Sequence, residues 1–545
     1  MFLNKMMQAK NFAVVNFRYT KTLSLSNIRL FQSNQQILQQ TQAAEVNLEA
    51  DSEWNQAKPF SEIPTDGALN VLRKMLPGGK YYKKDSVKLL TQWKEDYGEM
   101  FVMPAMLGRK AFLITNNPEH FERVFRNEGI WPIRPGSEAL RYHREKYRAE
   151  FYQDIEGLIA TQGDKWGKFR TVVNPVLMQP KNVKLYLQKM SQVNLELIDR
   201  IKEIRDPITL EVPDNFEDEI NRWTLESVSV VALDRQLGLL KENRDNVAAK
   251  ALFKNLTEFF TLSLELEFRP SLWKFIPTKT FRNFMKCLDN IQDITLNYVN
   301  NALQRLEKER EAGIERPENQ KSVLEKLLRI DKKIATVMAM DMLMAGVDTT
   351  SSTFAGIMLC LAKNPEKQEK LREEILKILP EKCSDFTDSS LTNMPYLRAC
   401  IKESLRLYPL IVGNARVPQK DVVLSGYQVP KGTQVSMVAT TLLQNEKYYT
   451  KPKEFIPERW LRQSKEMANN EINEFKGTNP FIYLPFGFGS RSCIGRRIVE
   501  MELELGVARI LRNFKVEFNY PVDEPFKALL INVPNIPLKF KFTDI

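Results

Sequence analysis

One cysteine of the chain lies in a glycine-rich loop directly before a predicted helix. Cys493 stands between Phe486 and Gly495, in a stretch that holds three glycines and Arg491. The unpaired N–H groups at a helix N-terminus stabilise a thiolate, and glycines let a flat molecule approach the backbone. An arginine two residues from the sulfur offers a cation to an anionic group. The loop therefore favours a planar, anionic metal cofactor such as haem, bound through the sulfur.

Two simpler interpretations of this loop are a dinucleotide site and a buried packing thiol. The dinucleotide pattern fails because Ser492 stands where a third glycine is required. A packing thiol is the expectation for Cys360 and Cys400, which lie in predicted helices. The complete pattern F-x-x-G-x-R-x-C-x-G instead resembles the cysteine loop of the cytochrome P450 family, the established example of haem iron held by a Cys thiolate.

The family's E-x-x-R motif is matched by Glu403 and Arg406, which share a helix face. Taken alone, such a pair would be a weak surface ion pair. The resemblance implies a buried structural triad in which Arg459 joins the pair. Arg459 belongs to the sequence Pro457-Glu458-Arg459-Trp460, where Trp460 replaces the more usual Phe.

An almost entirely apolar pattern from 334 to 363 predicts a long buried helix. Near its middle, Ala345, Gly346, Asp348 and Thr349 resemble the A-G-x-D-T-T motif of the family's distal helix. The resemblance implies that Ala345 and Gly346 contact the cofactor, with Gly346 leaving room for dioxygen. It also implies a proton relay through Asp348 and Thr349. A satisfied polar kink is the simpler alternative, because a Thr hydroxyl can bond back to a helix carbonyl.

Three further residues resemble the family's haem-propionate contacts. Trp166 and Arg170 are spaced i, i+4 and so project from one helix face. Arg416 lies ten residues after Arg406, where many members place another arginine. Each of these alone reads as an ordinary surface residue. The cofactor contacts that the resemblance implies are Trp166, Arg170, Ala345, Gly346, Arg416, Phe486, Arg491 and Gly495.

The resemblance covers about residues 85–540, and the segment 162–181 is similar to the mitochondrial clan of animal cytochromes P450, most closely the insect group. Such enzymes take two electrons from an acidic [2Fe–2S] ferredoxin, which a flavoprotein reduces; the chain has no flavin or nicotinamide fingerprint of its own. Arg398 and Lys402, at i, i+4, match two basic positions that the clan uses for docking the ferredoxin. Solvated surface charge is the alternative.

The N-terminal segment differs in composition from the rest of the chain. Residues 1–44 contain five basic residues and no acidic residue, which is typical of a mitochondrial transit peptide. Its apolar runs are too short for a membrane span, and a basic tail without a targeting role is the alternative. We therefore expect a transit peptide over 1–44, a linker over 45–84, and a cytochrome P450 domain over 85–545. The expected location is the matrix side of the inner mitochondrial membrane, with peripheral association.

Composition and patterning set the fold class. The 545 residues carry a net charge of +11 and 43% hydrophobic residues, which excludes collagen, coiled-coil rods, disordered chains and polytopic membrane proteins. Two histidines and no H-E-x-x-H motif exclude clustered-histidine zinc enzymes. Helical periodicity over 185–375 and short β-like runs over 417–438 and 515–543 predict a mainly α fold with a small β-rich part. The resemblance adds a haem buried between the distal helix and the cysteine loop.

The activity that the resemblance implies is that of a haem-thiolate monooxygenase, which uses O2 to hydroxylate or epoxidise a lipophilic small molecule. The stretches expected to face the substrate, including 131–147 and 341–349, are mostly apolar, and steroid-like and foreign compounds fit equally. No nucleic-acid partner is expected. The alternatives are a haem-thiolate isomerase or dehydratase without external electrons, a non-catalytic haem-binding protein, and a haem-free helical scaffold. The aromatic segment 258–284 is either core or a membrane contact.

Overall fold

The computed structural model describes residues 52–241, 243–461 and 479–545, so the predicted transit peptide lies outside the described residues. The chain forms two compact units. The described part of the smaller unit comprises 52–62 and 423–429, where the Lys58 N–H donates to the Gly426 carbonyl over 2.8 Å. The larger unit spans Ile63–Val422 and Pro430–Ile545 and contains every described residue that the sequence assigns to the site.

Helices dominate the larger unit, as the sequence predicts. In chain order they are α1 Ala68–Met75, α2 Ser86–Tyr97, α3 Pro118–Arg126, α4 Glu138–Tyr142, α5 Ala149–Tyr152, α6 Gly157–Ala160, α7 Gly163–Leu177, α8 Pro180–Lys184, α9 Leu187–Ile204, α10 Phe216–Ala232, α11 Val247–Glu267, α12 Lys279–Glu311, α13 Val323–Leu328, α14 Lys332–Lys363, α15 Pro365–Ile378, α16 Asp388–Thr392, α17 Pro395–Leu407, α18 Thr440–Leu443 and α19 Arg496–Asn513. A π turn follows α4, over His143–Tyr147.

The β part is small. Its strands are β1 Met100–Met103, β2 Phe112–Thr115, β3 Gly413–Arg416, β4 Val422–Leu424, β5 Tyr427–Val429, β6 Gln434–Val438, β7 Phe514–Glu517, β8 Phe526–Ala528, β9 Asn532–Pro534 and β10 Lys541–Asp544. One sheet has the order β1-β2-β6-β3, in which β2 and β6 are parallel and the other pairs antiparallel. Its register sets Arg416 opposite Val435. The remaining strands form two-stranded sheets, and the architecture confirms the predicted fold class.

The long helix α14 runs through the core. The Asp331 side chain accepts a hydrogen bond from the Ile334 N–H at its start, and the helix ends before Pro365. It packs against α10, where the rings of Trp223 and Phe354 lie 4.5 Å apart. Most of its side chains are buried, which explains why apolar residues occur on most sides of the helix.

Glu403 of α17 is fully buried, and its carboxylate accepts five hydrogen bonds. The Arg406 guanidinium donates two, over 3.0 and 2.8 Å, and Arg459 donates one over 3.0 Å. The Ile456 N–H donates another over 3.0 Å, and the Trp460 indole donates the fifth over 2.8 Å. Trp460 therefore contributes a donor to the network that a Phe could not supply.

The network extends toward the cysteine loop. The ring of Tyr483 lies 4.6 Å from that of Trp460, and its hydroxyl donates to the Lys402 carbonyl over 3.1 Å. Since Tyr483 precedes the cysteine loop by three residues, the Glu403 network anchors the chain that leads into this loop.

The aromatic segment 258–284 divides into core and surface. Phe259 and Phe284 are buried and stacked with centroids 5.6 Å apart, whereas Phe275 is 66% exposed. Within the described ranges, no helix combines the length and apolarity that crossing a bilayer demands.

We predict that Glu403→Gln lowers the free energy of unfolding by about 3–5 kcal/mol, because two buried guanidinium groups lose their counter-ion. Trp460→Phe is expected to cost about 1–3 kcal/mol, since it removes one hydrogen bond to a charged acceptor. Urea unfolding of the two variants beside the wild type measures both. A Trp460→Phe variant as stable as the wild type would contradict the role of the indole.

Candidate active site

The cysteine loop closes on itself before α19 begins. The Cys493 N–H donates to the Phe486 carbonyl over 2.8 Å. Gly487 and Gly489 adopt φ values of +73° and +68°, which side chains rarely tolerate. At Gly489 a Cβ atom would also lie 2.8 Å from a carboxylate oxygen of Glu128. The turn thus depends on glycine at both positions.

The thiol of Cys493 lies beside positive charge. Burial raises its pKa, while the backbone N–H groups of Gly495 and Arg496 and the charges of Arg170 and Arg134 lower it. The Gly495 and Arg496 N–H groups lie at the start of α19, as the sequence predicts, and together with the two arginines they are groups of the kind that stabilise a thiolate.

Four arginines gather around the loop and form a group that we call the arginine cradle: Arg134, Arg170, Arg416 and Arg491. Arg170 donates to the Ser492 carbonyl over 3.0 Å, and Arg491 donates to the Pro132 carbonyl over 2.9 Å. The Arg491 guanidinium also lies 3.8 Å from the ring centroid of Trp166.

The arginines of the cradle outnumber the acidic residues that pair with them. Arg416 pairs with Glu128 over 2.5 Å, but no ion pair among the described residues includes Arg134, Arg170 or Arg491. Burial and the neighbouring arginines lower the pKa of Arg491 to about 8. Nε of Arg170 and Nη1 of Arg491 are buried and have no hydrogen-bond partner among the residues that the structure describes. Such groups fit a cofactor that brings two carboxylates, as haem does with its propionates.

Arg134 is the cradle member that the sequence analysis missed. It belongs to no motif, and its one signal is its setting in the apolar, proline-rich run Trp131-Pro132-Ile133-Arg134-Pro135. Gln162 fixes its backbone: the Arg134 N–H donates to the Gln162 side-chain oxygen over 2.8 Å, and the Gln162 amide donates back over 2.9 Å.

One face of α14 is open. Ala345 is exposed in the middle of an otherwise buried helix, and Met342, Gly346 and Thr349 beside it are partly exposed. The Thr349 hydroxyl donates to the Ala345 carbonyl over 2.7 Å. Packing also favours glycine at position 346, because a Cβ atom there would lie 2.8 Å from the Val228 side chain of α10.

Asp348 is buried beside this face. One of its carboxylate oxygens has no hydrogen-bond partner among the described residues, and burial raises its pKa to about 7. The carboxyl can therefore hold or release a proton near neutral pH.

Asp341, within the stretch predicted to face the substrate, is instead committed to an ion pair. Arg144 donates to one carboxylate oxygen over 2.7 Å, and the Leu158 N–H donates to the other over 2.8 Å. Both members of the pair are buried. The pair ties the segment 143–161 to α14 and neutralises the acid.

The two predicted docking residues differ in their surroundings. Arg398 forms two hydrogen bonds to Glu504, over 2.8 and 3.3 Å, and its side chain is 39% exposed. Lys402 is exposed, and its ammonium lies 5.9 Å from the ring centroid of Trp460. No ion pair in the described ranges includes Lys402, so its charge is available to a partner.

A helical fold with a cysteine loop, an arginine cradle and an open central helix is that of a haem-thiolate protein. Residues 70–542 match the family model described as Cytochrome P450. The chain therefore belongs to the cytochrome P450 family. It is 59% identical to Cytochrome P450 CYP12A2 of Musca domestica, over 96% of this chain and 98% of that relative.

Two relatives from Drosophila melanogaster are also similar. Probable cytochrome P450 12a5, mitochondrial, is 58% identical over 93% of this chain and 95% of its own length. Probable cytochrome P450 12c1, mitochondrial, is 48% identical over 91% of this chain and 94% of its own. The protein is thus a mitochondrial haem-thiolate monooxygenase, which confirms the resemblance found in the sequence.

We predict that Asp348→Asn changes how stability depends on pH. A pKa raised from 3.8 to about 7 means that the carboxyl contributes stability at low pH, which is lost as the pH rises through 7. Between pH 5 and pH 7 the wild type should lose about 2–3 kcal/mol relative to the variant, which has no titrating group there. Urea unfolding at both pH values measures the difference, and parallel profiles would contradict a raised pKa.

Proposed function

We propose that Cys493 supplies the thiolate ligand of the haem iron and that the enzyme oxidises a lipophilic small molecule with electrons from a [2Fe–2S] ferredoxin. The observation that carries the first part is the arginine cradle around the cysteine loop, with its unpaired buried N–H groups at Arg170 and Arg491. When bound, haem supplies the chemistry that activates O2 for insertion into a C–H or C=C bond.

The cradle and its neighbours would hold the cofactor. Arg134, Arg170, Arg416 and Arg491 offer cations to its two carboxylates. Trp166 is buried against Arg491 and orders that guanidinium. The remaining proposed contacts border the loop or the open helix face: Phe486, Gly495, Ala345 and Gly346.

Asp348 and Thr349 are proposed to deliver protons. With a pKa of about 7, Asp348 can pass a proton at the pH of the cell compartment and be reloaded. The Thr349 hydroxyl gives its hydrogen to the Ala345 carbonyl, so its oxygen can accept a hydrogen bond at the open face. The pair favours dioxygen chemistry over an isomerase or dehydratase, which needs no proton supply of this kind.

The substrate is proposed to be lipophilic. Met342 and Ala345 give the open face of α14 an apolar character, and the Asp341 carboxylate is neutralised by Arg144. Exposed Phe275 and Ile276 support peripheral association with the inner membrane on its matrix side, from which apolar substrates would enter.

Electron delivery is proposed to use a basic surface around Lys402, reached by a small acidic ferredoxin that a flavoprotein reduces. Arg497, after the cysteine loop, is also exposed. Arg398 belongs to this surface, with its charge shared by Glu504. Complementary charge chiefly raises the rate of encounter and makes it sensitive to salt.

We predict that the reduced wild-type protein, under carbon monoxide, shows the strongly red-shifted Soret band of sulfur ligation. Cys493→Ser should lose that band, because oxygen replaces the sulfur donor, while Cys400→Ser, a buried thiol away from the loop, should keep it. The carbon-monoxide difference spectrum decides the matter. A band that persists in Cys493→Ser would exclude this residue as the ligand.

We predict that Lys402→Glu slows ferredoxin-driven turnover about tenfold at low salt and leaves peroxide-driven turnover unchanged, since peroxide needs no docked partner. Lys308→Glu, an exposed lysine on α12, is the matched control and should affect neither assay. An equal loss in both assays would refute the docking role. Full turnover with no electron donor would favour the isomerase or dehydratase.

A further inference from the structure

Arg109 lies on the tight turn that connects β1 and β2. Backbone hydrogen bonds of 3.1 and 2.9 Å between Met106 and Arg109 close this turn. The guanidinium lies 5.0 Å from the ring centroid of Phe112, and Nη1 donates to the Phe268 carbonyl, which follows α11, over 2.9 Å. The side chain therefore reaches across to the end of α11.

The other two guanidinium nitrogens of Arg109 have no hydrogen-bond partner in the described part of the chain. Nε and Nη2 are both buried, and no ion pair of the described residues includes this arginine. Arg109 is the one arginine in the described ranges with two such nitrogens; the arginines of the cradle have at most one each. Although burial lowers its pKa to about 10, the group stays charged at neutral pH. Two buried N–H groups that lack an acceptor are costly, so an anion that accepts from both would be stabilised here.

Two acids, Glu138 and Glu267, line the same cavity as Arg109. A carboxylate oxygen of Glu267 accepts the Ala139 N–H over 2.7 Å. Glu138 forms an ion pair with the Lys274 ammonium. Neither acid forms an ion pair with Arg109, so the place of a counter-ion is open to an anionic ligand.

The pair Nε and Nη2 forms a planar fork that matches both oxygens of a carboxylate. The same two nitrogens bind carboxylates elsewhere in this protein, over 2.8–3.3 Å. The pairs are Arg200 with Glu219, Arg398 with Glu504, and Arg406 with Glu403. In Arg109 this fork is intact and unused.

Arg109 is one of the residues that line a cavity of about 70 Å³, enough for a carboxylate-sized group. Its apolar lining includes Phe112, Leu266, Phe268 and Trp273. A neighbouring cavity of about 320 Å³ shares Gly136 with it and is lined by Arg134 of the cradle. A ligand held at Arg109 would thus lie against these apolar side chains, next to a cavity that Arg134 of the cradle borders.

We propose that Arg109 binds the carboxylate of an elongated apolar acid, which makes the acid end of the molecule a determinant of substrate choice. The inference rests on the proposed function and narrows its substrate class to apolar carboxylic acids.

Calorimetric titration of the haem-loaded protein at pH 8 with dodecanoic acid and with dodecanol tests the proposal. The wild type should bind the acid about tenfold more tightly than the alcohol, because only the acid can use both N–H groups of the fork. Arg109→Met, similar in length, should lose this preference, whereas Arg109→Lys should keep part of it. Arg269→Met is the matched control, since Arg269 lines the same cavity but donates to the Lys84 carbonyl over 3.4 Å.

Equal affinity of the wild type for acid and alcohol, or a preference that survives in Arg109→Met, would overturn the proposal. A third outcome would also overturn it: Arg109→Met loses binding to phosphatidylglycerol vesicles but binds the acid as the wild type does. That result would assign the fork to a lipid headgroup. The two proposals fail in different ways. If the wild type shows the red-shifted carbonyl band but does not prefer the acid to the alcohol, only the inference about Arg109 is wrong. If the band is absent, the proposed function is wrong, and the calorimetric preference for the acid still tests the Arg109 site.

Discussion

The carboxylate of Glu403 is the interaction on which the architecture around the cysteine loop depends. It accepts five hydrogen bonds in the protein interior, from two guanidinium groups, one indole and one backbone N–H. Because buried charges are tolerated only when every partner is in place, these donors fix α17 and the segment around 456–460 in one arrangement. Trp460 and Tyr483 extend that arrangement to the chain that enters the loop. Charge pairing as well as apolar packing therefore holds Cys493 in position.

Buried guanidinium groups differ in how the described residues satisfy them. Asp341 pairs with Arg144 and Glu403 pairs with Arg406, whereas Arg509 donates to backbone carbonyls. A guanidinium that has no acid partner and keeps unbonded buried N–H groups where it borders a cavity or the cysteine loop can bind an anionic ligand. The cradle meets that description and suits the carboxylates of haem. Arg109 meets it a second time, at a different cavity, and points to a second kind of carboxylate.

Local patterns allowed much of the fold to be predicted. The apolar run of α14, the stripe of α19 and the loop at Cys493 are continuous in sequence, so spacing alone located them. Contacts between distant segments were not predictable in this way. Neither the Asp341–Arg144 pair nor the commitment of Arg398 to Glu504 leaves a periodic signal, because the partners are 197 and 106 residues apart. The need for glycine at position 346 was likewise not predictable, because part of it comes from contact with Val228 on another helix.

The crowding of like charge in the arginine cradle links maturation of this enzyme to cofactor supply. Four guanidinium groups held together repel one another, so on the proposal that the cradle binds the haem carboxylates, the protein around the cysteine loop is less stable before dianionic haem binds. Any ligand that binds only the folded form raises its population by mass action. The amount of long-lived protein in the organelle would then follow the rate of haem biosynthesis. When porphyrin is scarce, the chains without haem would be degraded by proteases.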